Sequence, residues 1–166
     1  MKLEKWGEII QKLTDKDHTV VLIDSSKHSL IYDQFIDRMN LPGNKVINLS
    51  NKSTSLKMSI AMLALSDGVI GVDSSFMHLG TALGKPTYGI FGAFRGQLRM
   101  GYYKKAKWYD VQKGECECNK VPCFLHETNI GKCLYTLNNQ PAECLRNVDA
   151  NRIASEFHEL VMMNNE

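Results

Sequence analysis

The sequence predicts one α/β domain built around a parallel β-sheet. Short apolar runs rich in β-branched residues alternate with stretches in which apolar residues recur at helical spacing. The segment 69–92 shows this pattern most clearly, because an apolar run, a polar loop, a small-residue stretch and a second apolar run follow one another. A chain of 166 residues is long enough for one domain with a substantial core.

The elements follow in chain order from the spacing of the apolar residues. Trp6, Ile9, Ile10 and Leu13 recur at helical spacing and predict an opening amphipathic helix. Strands are predicted at 19–23, 45–49, 69–72 and 87–91. The runs at 19–23 and 87–91 predict buried strands, and the run at 69–72 suits a strand that is buried on both faces. Further helices are predicted at 30–39, after Ser53-Thr54-Ser55, between the last two strands, and at about 149–162.

The crossover at 69–92 has clear boundary signals. Asp73, Ser74 and Ser75 are residue types that favour helix N-caps, and Gly84-Lys85-Pro86 ends the helix that follows. In open parallel sheets, ligands bind beyond the carboxyl ends of the strands. This rule places Asp73, Ser74, Ser75 and His78 at the ligand edge, where the N–H groups of a helix N-terminus suit a phosphate.

The front of the chain departs from the usual pattern. A doubly wound domain usually opens with a strand, whereas this chain opens with a helix, so the first strand of the sheet and its loop are missing. Three explanations stay open: another chain supplies the strand, an upstream segment has been lost, or the sheet edge is rearranged.

Composition excludes several function classes. The formal net charge of +2 gives no electrostatic case for nucleic acid or for an acidic membrane surface. No apolar run approaches the roughly 20 residues that span a bilayer, and the first residues lack the apolar core of a signal peptide. We therefore expect a soluble, cytoplasmic protein without a membrane span.

The segment DSSFMHLGTALGKPTYGIFG resembles the family of the ADP-heptose:lipopolysaccharide heptosyltransferases. The residues that carry the resemblance are Asp73, Ser74, Ser75, His78, Gly84, Pro86, Phe91 and Gly92. The likeness extends more loosely over 6–157. It implies a Rossmann-like parallel sheet similar to the C-terminal, donor-binding half of a GT-B fold, with a donor-binding domain at 1–112 and a Cys-rich segment with a closing helix at 113–166, packed on the same domain.

The departures from the family are equally informative. The N-terminal domain that holds the acceptor and supplies the catalytic base is absent from these 166 residues, as is the basic loop that contacts the pyrophosphate. Ser75 stands where the better-known heptosyltransferases have Gly. The resemblance thus implies a glycosyltransferase half that is incomplete on its own.

The resemblance also implies roles for the crossover residues. Asp73 and His78 would bond the hydroxyls of the donor sugar, while Ser74 and Ser75 would contact the diphosphate. The alternative is structural: Asp73 caps the helix, and His78 is a partly buried histidine bonded to the backbone.

Three charged residues elsewhere are further candidates. Asp24 ends an earlier strand at the same edge, where it would either bind ribose hydroxyls or serve as a turn residue. Arg95 and Arg99 follow the last predicted strand and would either clamp phosphate or form a solvated basic loop. Tyrosines interleave this basic stretch, but the weak net charge argues against RNA stacking.

All five cysteines follow this stretch: Cys116, Cys118, Cys123, Cys133 and Cys144. An odd number in a chain without an export signal favours thiols or metal ligands over disulfides. Four thiolates suit a structural zinc or iron, and a heptosyltransferase subgroup with an iron-holding four-cysteine cluster adds support by resemblance. Because there are five cysteines for four ligand places, Cys116 and Cys118 compete for one of them. The alternative to a metal site is a set of free or partly disulfide-paired cysteines.

The sequence therefore supports two functions of different kinds. The first is a domain that binds a nucleotide sugar, an ADP-heptose-like donor, for glycosyl transfer with an acceptor-domain chain or within a homo-oligomer. The second is a non-catalytic assembly domain derived from a glycosyltransferase.

Overall fold

The computed structural model describes residues 1–24, 26–50, 55–112, 115–116, 121–123 and 143–164. The strands are β1 (Val20–Leu22), β2 (Val46–Asn48), β3 (Val69–Val72), β4 (Thr87–Phe91) and β5 (Ala106–Asp110). The helices are α1 (Leu3–Asp15), α2 (Ser29–Arg38), α3 (Leu56–Leu65), α4 (Ser75–Ala82), α5 (Gly96–Met100) and α6 (Ala150–Met162). Short 3-10 turns occur at Ser26–His28 and Glu143–Leu145.

Every strand pair in the described residues is parallel, which confirms the predicted α/β class. β1 pairs with β2, with Val20 opposite Val46. β4 lies between β3 and β5, with Thr87 opposite both Val69 and Ala106. The described strands thus form a two-stranded and a three-stranded sheet, and β1 does not pair with β3.

Apolar clusters cover both faces of the three-stranded sheet. On one face, Tyr88 and Ile90 of β4 belong to the same cluster as Ile9 of α1 and Ile153 of α6. The Tyr88 hydroxyl also donates a hydrogen bond to the Glu156 carboxylate of α6. On the other face, the cluster comprises Leu63, Val69, Met77, Phe91 and Met100. Such two-sided cover is typical of a parallel sheet.

Burial differs from the prediction in two strands. All five residues of β4 are buried, as expected. In β3, however, only Val69 is buried, and in β1 Val21 is 41% exposed. The expectations that the strand at 19–23 is buried and that the strand at 69–72 is buried on both faces are therefore wrong. The physical reason is that each of these strands has a described neighbour along one edge only.

The ends of the predicted helices follow from local chemistry. Ser55 caps α3, since its hydroxyl accepts a hydrogen bond from the Met58 N–H at 3.2 Å; Ser53 and Thr54 lie outside the described residues. Asp149 caps α6 in the same way through the Arg152 N–H at 3.0 Å. Gly84 ends α4 with a φ of +73°, a left-handed conformation that glycine adopts without steric cost.

The segment after β4 contains two elements that the sequence did not predict, α5 and β5. Trp108 and Tyr109 belong to β5, and Tyr109 is only 2% exposed, so these aromatic side chains contribute to the core. Tyr102, in contrast, is 90% exposed. Among the described helices, none is both long enough and apolar enough to cross a membrane.

A histidine pair joins the turn after α1 to α6. His18 Nε2 lies 2.8 Å from His158 Nδ1, so one ring donates a hydrogen bond to the other. Burial lowers the pKa of His18, and the neighbouring His158 lowers it further, whereas Asp67 opposes the shift. The folded protein therefore favours a neutral His18.

We expect acidification to destabilise the protein through this pair. Because the pKa of His18 lies below its unfolded value of about 6.5, the unfolded chain binds more protons as the pH falls through that value, and folding weakens. Urea unfolding at about pH 7 and pH 5 should show a smaller loss of stability in His18→Gln than in the unmodified protein. His28→Gln, at an exposed histidine, is the matched control; equal losses in His18→Gln and the unmodified protein would contradict the assignment.

Candidate functional site

The loop between β3 and α4 presents an uncapped helix N-terminus. Ser74 occupies the N-cap position in an extended conformation, and its side chain makes no capping hydrogen bond to the first turn. Asp73 and Ser75 are exposed on either side of it. The Met77 N–H donates to the Ser74 carbonyl at 3.1 Å. The N–H groups of Ser75 and Phe76 lie at the positive end of the α4 dipole, at the carboxyl edge of the sheet. The alternative in which Asp73 caps the helix is wrong.

Arg99 is the cation beside Asp73. Its Nε lies 3.6 Å from Asp73 Oδ2, and its guanidinium carbon lies 4.8 Å from the centre of the Phe94 ring. Both charged side chains are more than a third exposed, so solvent weakens this pair. Arg95 sits at the N-cap position of α5 and is exposed. The structure thus places Arg99 against the predicted site residue Asp73.

His78 lies in the first turn of α4 and is exposed. Its Nδ1 lies 3.1 Å from the Tyr103 hydroxyl, and the two rings meet edge to face. The structural alternative expects His78 to bond to the backbone, whereas here its ring contacts the side-chain hydroxyl of Tyr103. The sequence does not predict Tyr103 as a site residue, because no local signal links positions 25 residues apart.

Asp110 fixes the start of α5 and thereby the position of Arg99. Its Oδ1 accepts a hydrogen bond from the Gly96 N–H at 2.6 Å. Gly96 also packs so closely on Trp108 that a Cβ there would lie 2.3 Å from the indole ring. The sequence analysis does not predict Asp110 as a site residue, because it does not predict β5. Had β5 been predicted, an acidic residue at its carboxyl end would have indicated Asp110.

Asp24 lies beyond the carboxyl end of β1, where its partners come from the following segment. Its Oδ2 accepts a hydrogen bond from the Tyr32 hydroxyl at 2.5 Å and lies 2.9 Å from His28 Nδ1. Burial raises the pKa of Tyr32, and the bond to Asp24 raises it further. The ribose role for Asp24 stays a prediction.

Two of the described cysteines lie against the segment that follows β4. The Cys123 N–H donates to the Ala93 carbonyl at 2.7 Å, and a Cβ on Gly92 would lie 2.6 Å from the Cys144 sulfur. Cys116 is buried in the apolar core. Cys118 and Cys133 lie outside the described residues. Within the described ranges, no group of three or more His, Cys, Asp or Glu residues is placed to hold a metal ion.

Comparison with known proteins identifies the family. The model of glycosyltransferase family 9 (heptosyltransferase) matches residues 2–129. The chain belongs to this family. A search of curated proteins found no match.

Two solved structures share the fold. The structure of E. coli ADP-heptose lps heptosyltransferase II is similar with a TM-score of 0.68 at 16% identity, over 99% of this chain and 43% of that one. The glycosyl transferase family 9 structure from Veillonella parvula gives a TM-score of 0.67 at 13% identity, over 98% and 42%. This family 9 chain therefore spans less than half the length of either protein.

We expect Asp110→Ala to destabilise the family 9 fold by about 1–2 kcal/mol, because the Gly96 N–H loses a charged acceptor. Asp110→Asn keeps an oxygen at that place and should lose less. Urea unfolding of the two variants measures the difference. If both variants lose the same free energy of unfolding, the hydrogen bond from the Gly96 N–H is not the source of that loss.

Proposed function

We propose that this chain is the donor-binding half of a glycosyltransferase and that it binds an ADP-heptose-like nucleotide sugar at the Asp73 edge. The observation that carries the proposal is the uncapped N-terminus of α4, flanked by Asp73, Arg99 and His78 at the carboxyl edge of a parallel sheet. Membership of family 9 supports a nucleotide-sugar ligand.

The diphosphate is assigned to the start of α4. The N–H groups of Ser75 and Phe76 lie in the first turn, where an anion gains from the helix dipole. The hydroxyls of Ser74 and Ser75 are further donors. Arg99 can add two parallel hydrogen bonds, because its pair with Asp73 at 3.6 Å is long and solvated and is readily exchanged for a phosphate. Arg95, exposed one turn earlier, adds positive charge.

The sugar is assigned to Asp73 and His78. The Asp73 carboxylate accepts hydrogen bonds from hydroxyls, and the pair with Arg99 leaves it partly exposed. The contact of His78 Nδ1 with Tyr103 sets the ring orientation, so we assign Nε2 to the ligand. In this arrangement Tyr103 is a positioning residue.

The chemistry of this half is positioning and charge stabilisation. In glycosyl transfer, the bond between the sugar carbon and the diphosphate breaks, and its electron pair stays on the leaving nucleoside diphosphate. N–H groups and a guanidinium beside that diphosphate stabilise the developing charge. The acceptor hydroxyl attacks the sugar carbon and loses its proton to a base, for which no residue of this chain is proposed.

We assign the cysteines to a structural zinc or iron. The Cys123 backbone N–H and the Cys144 sulfur lie against neighbouring residues, Ala93 and Gly92, which supports a metal shared by these two cysteines and two others. Cys123, Cys133 and Cys144 are three of the proposed ligands, and Cys116 and Cys118 compete for the fourth place. Such a metal would tie the Cys-rich segment to the end of β4 and stabilise the fold.

Asp73→Asn should weaken binding of ADP-heptose about tenfold to a hundredfold, because a charged acceptor for sugar hydroxyls is lost. Asp67→Asn makes the same charge change near the other end of β3 and is the matched control. Titration calorimetry with a panel of nucleotide sugars measures both. Binding that is equal in the two variants, or absent for every nucleotide sugar in the unmodified chain, would reject the proposal.

Protein purified without added metal should contain about one zinc or iron per chain by elemental analysis. Cys123→Ser and Cys144→Ser should remove the metal and lower the melting temperature, whereas only one of Cys116→Ala and Cys118→Ala should do so. Metal-free protein in which all five thiols react with a thiol reagent would refute the assignment.

A further inference from the structure

A small cavity lies at the amino edge of the three-stranded sheet, where β4 and β5 begin. It is bounded by the last turn of α4 and by the segment that joins α5 to β5. Its volume of about 260 Å³ is below the roughly 300–1,000 Å³ of cavities that hold drug-sized compounds, so a small ligand suits it. The side chains that give it its character are two tyrosines and three lysines: Tyr102, Tyr103, Lys85, Lys104 and Lys105.

The charge of this cavity has one sign. Of the described residues, three lysines and no carboxylate line it. No ion pair within the described ranges involves Lys85, Lys104 or Lys105. Three like charges around one concavity create a positive local potential, although the whole chain carries a formal charge of only +2. An anion gains from this potential, and the several oxygens of a phosphate can accept hydrogen bonds from more than one ammonium group.

Hydrogen bonds hold the backbone from which two of the lysines project. The Lys85 N–H donates to the Gly80 carbonyl at 3.0 Å, and the Lys85 carbonyl accepts from the Thr87 hydroxyl at 2.9 Å. The Lys105 carbonyl accepts from the Thr87 N–H at 2.9 Å. Thr87 is fully buried and therefore joins both lysine-bearing segments from below. Because the backbone is already fixed, a ligand has to order only the lysine side chains.

The tyrosines add an aromatic surface to the basic one. Tyr102 is 90% exposed although it lines the cavity, so most of its ring surface is open to a ligand. An aromatic ring in such a position can pack against an apolar ring face of the ligand. Tyr103 also lines the cavity, and its hydroxyl lies 3.1 Å from His78 Nδ1. One side chain thus connects the cavity with the candidate donor site.

We propose that this cavity is a second ligand site, which binds a small phosphorylated sugar. Lys85, Lys104 and Lys105 bind the phosphate, and Tyr102 packs against the sugar ring. A lipid headgroup carries the same phosphate chemistry, but a concave cavity of this size favours a small soluble molecule over a flat membrane surface. The site lies away from Asp73 and the start of α4, so it does not depend on donor binding there.

An NMR titration of the full chain with glucose 6-phosphate tests the proposal, with inorganic phosphate and glucose as the two component probes. We expect saturable shifts of the Gly84, Lys85 and Lys105 amides. The dissociation constant of glucose 6-phosphate should be about fivefold or more below that of either component, because both surfaces contribute. The amides of Ser75 and Phe76 report on the Asp73 edge in the same spectra, so failure of one site is distinguished from failure of the other.

Two double variants test the lysines. Lys104→Gln combined with Lys105→Gln should weaken glucose 6-phosphate about tenfold or more, because two ammonium donors are lost. Lys16→Gln combined with Lys57→Gln removes the same charge from exposed lysines outside the cavity and is the matched control. Circular dichroism verifies the fold of both. Equal affinity in the two double variants would contradict the role of the lysines; should the first variant unfold, the three probes on the unmodified chain still decide.

Two single variants test the aromatic surface. Tyr102→Ala should weaken glucose 6-phosphate about fivefold and leave the affinity for inorganic phosphate unchanged, since only the contact with the sugar ring is lost. Tyr102→Phe keeps the ring and should bind glucose 6-phosphate as the unmodified chain does. Equal losses of affinity for both ligands in Tyr102→Ala would contradict the assignment of this residue to the sugar.

Three further results would overturn the proposal. The first is the absence of saturable shifts at Gly84, Lys85 and Lys105 up to about 50 mM glucose 6-phosphate. The second is a set of shifts confined to Ser75 and Phe76, which would place the phosphate at the Asp73 edge. The third is binding to vesicles of anionic phospholipid without binding of glucose 6-phosphate, which would make a membrane surface the ligand.

Discussion

The burial of β4 between two parallel neighbours is the constraint on which the rest of the structure depends. Its five residues lie under α1 and α6 on one face and against Met77 and Met100 on the other. A strand held in this way fixes the register of β3 and β5, and parallel register brings the carboxyl ends of all three to one edge. Residues far apart in the chain meet there for that reason.

The candidate site is a consequence of that edge. β3 ends in Asp73 and the start of α4, and the segment after β4 leads into α5, which carries Arg99. β5 ends in Asp110, which holds α5 in place through Gly96. Two residues hold the exposed polar groups of this edge in place: Asp110 bonds to the start of α5, and Tyr103 contacts the His78 ring. A ligand need not touch either of them. Such support is what a rigid binding site requires.

The sequence predicted the elements whose apolar residues alternate or repeat without interruption. The strands at 69–72 and 87–91 were placed correctly, because β-branched runs end at Asp73 and begin after Pro86. The sequence did not predict β5, because Lys107 interrupts its apolar residues and Lys105 directly precedes it. Arg99 and Tyr103 meet Asp73 and His78 only through the register of β3, β4 and β5, which local patterns do not specify.

The central claim is that the carboxyl edge at Asp73 binds a nucleotide sugar, and an NMR titration of the labelled chain with ADP-heptose tests it most directly. The claim predicts saturable shifts of the Ser74, Ser75 and Phe76 amides, with Gly68 at the opposite end of β3 unaffected. Shifts confined to the Gly68 end, or no shifts at millimolar ligand, would contradict it.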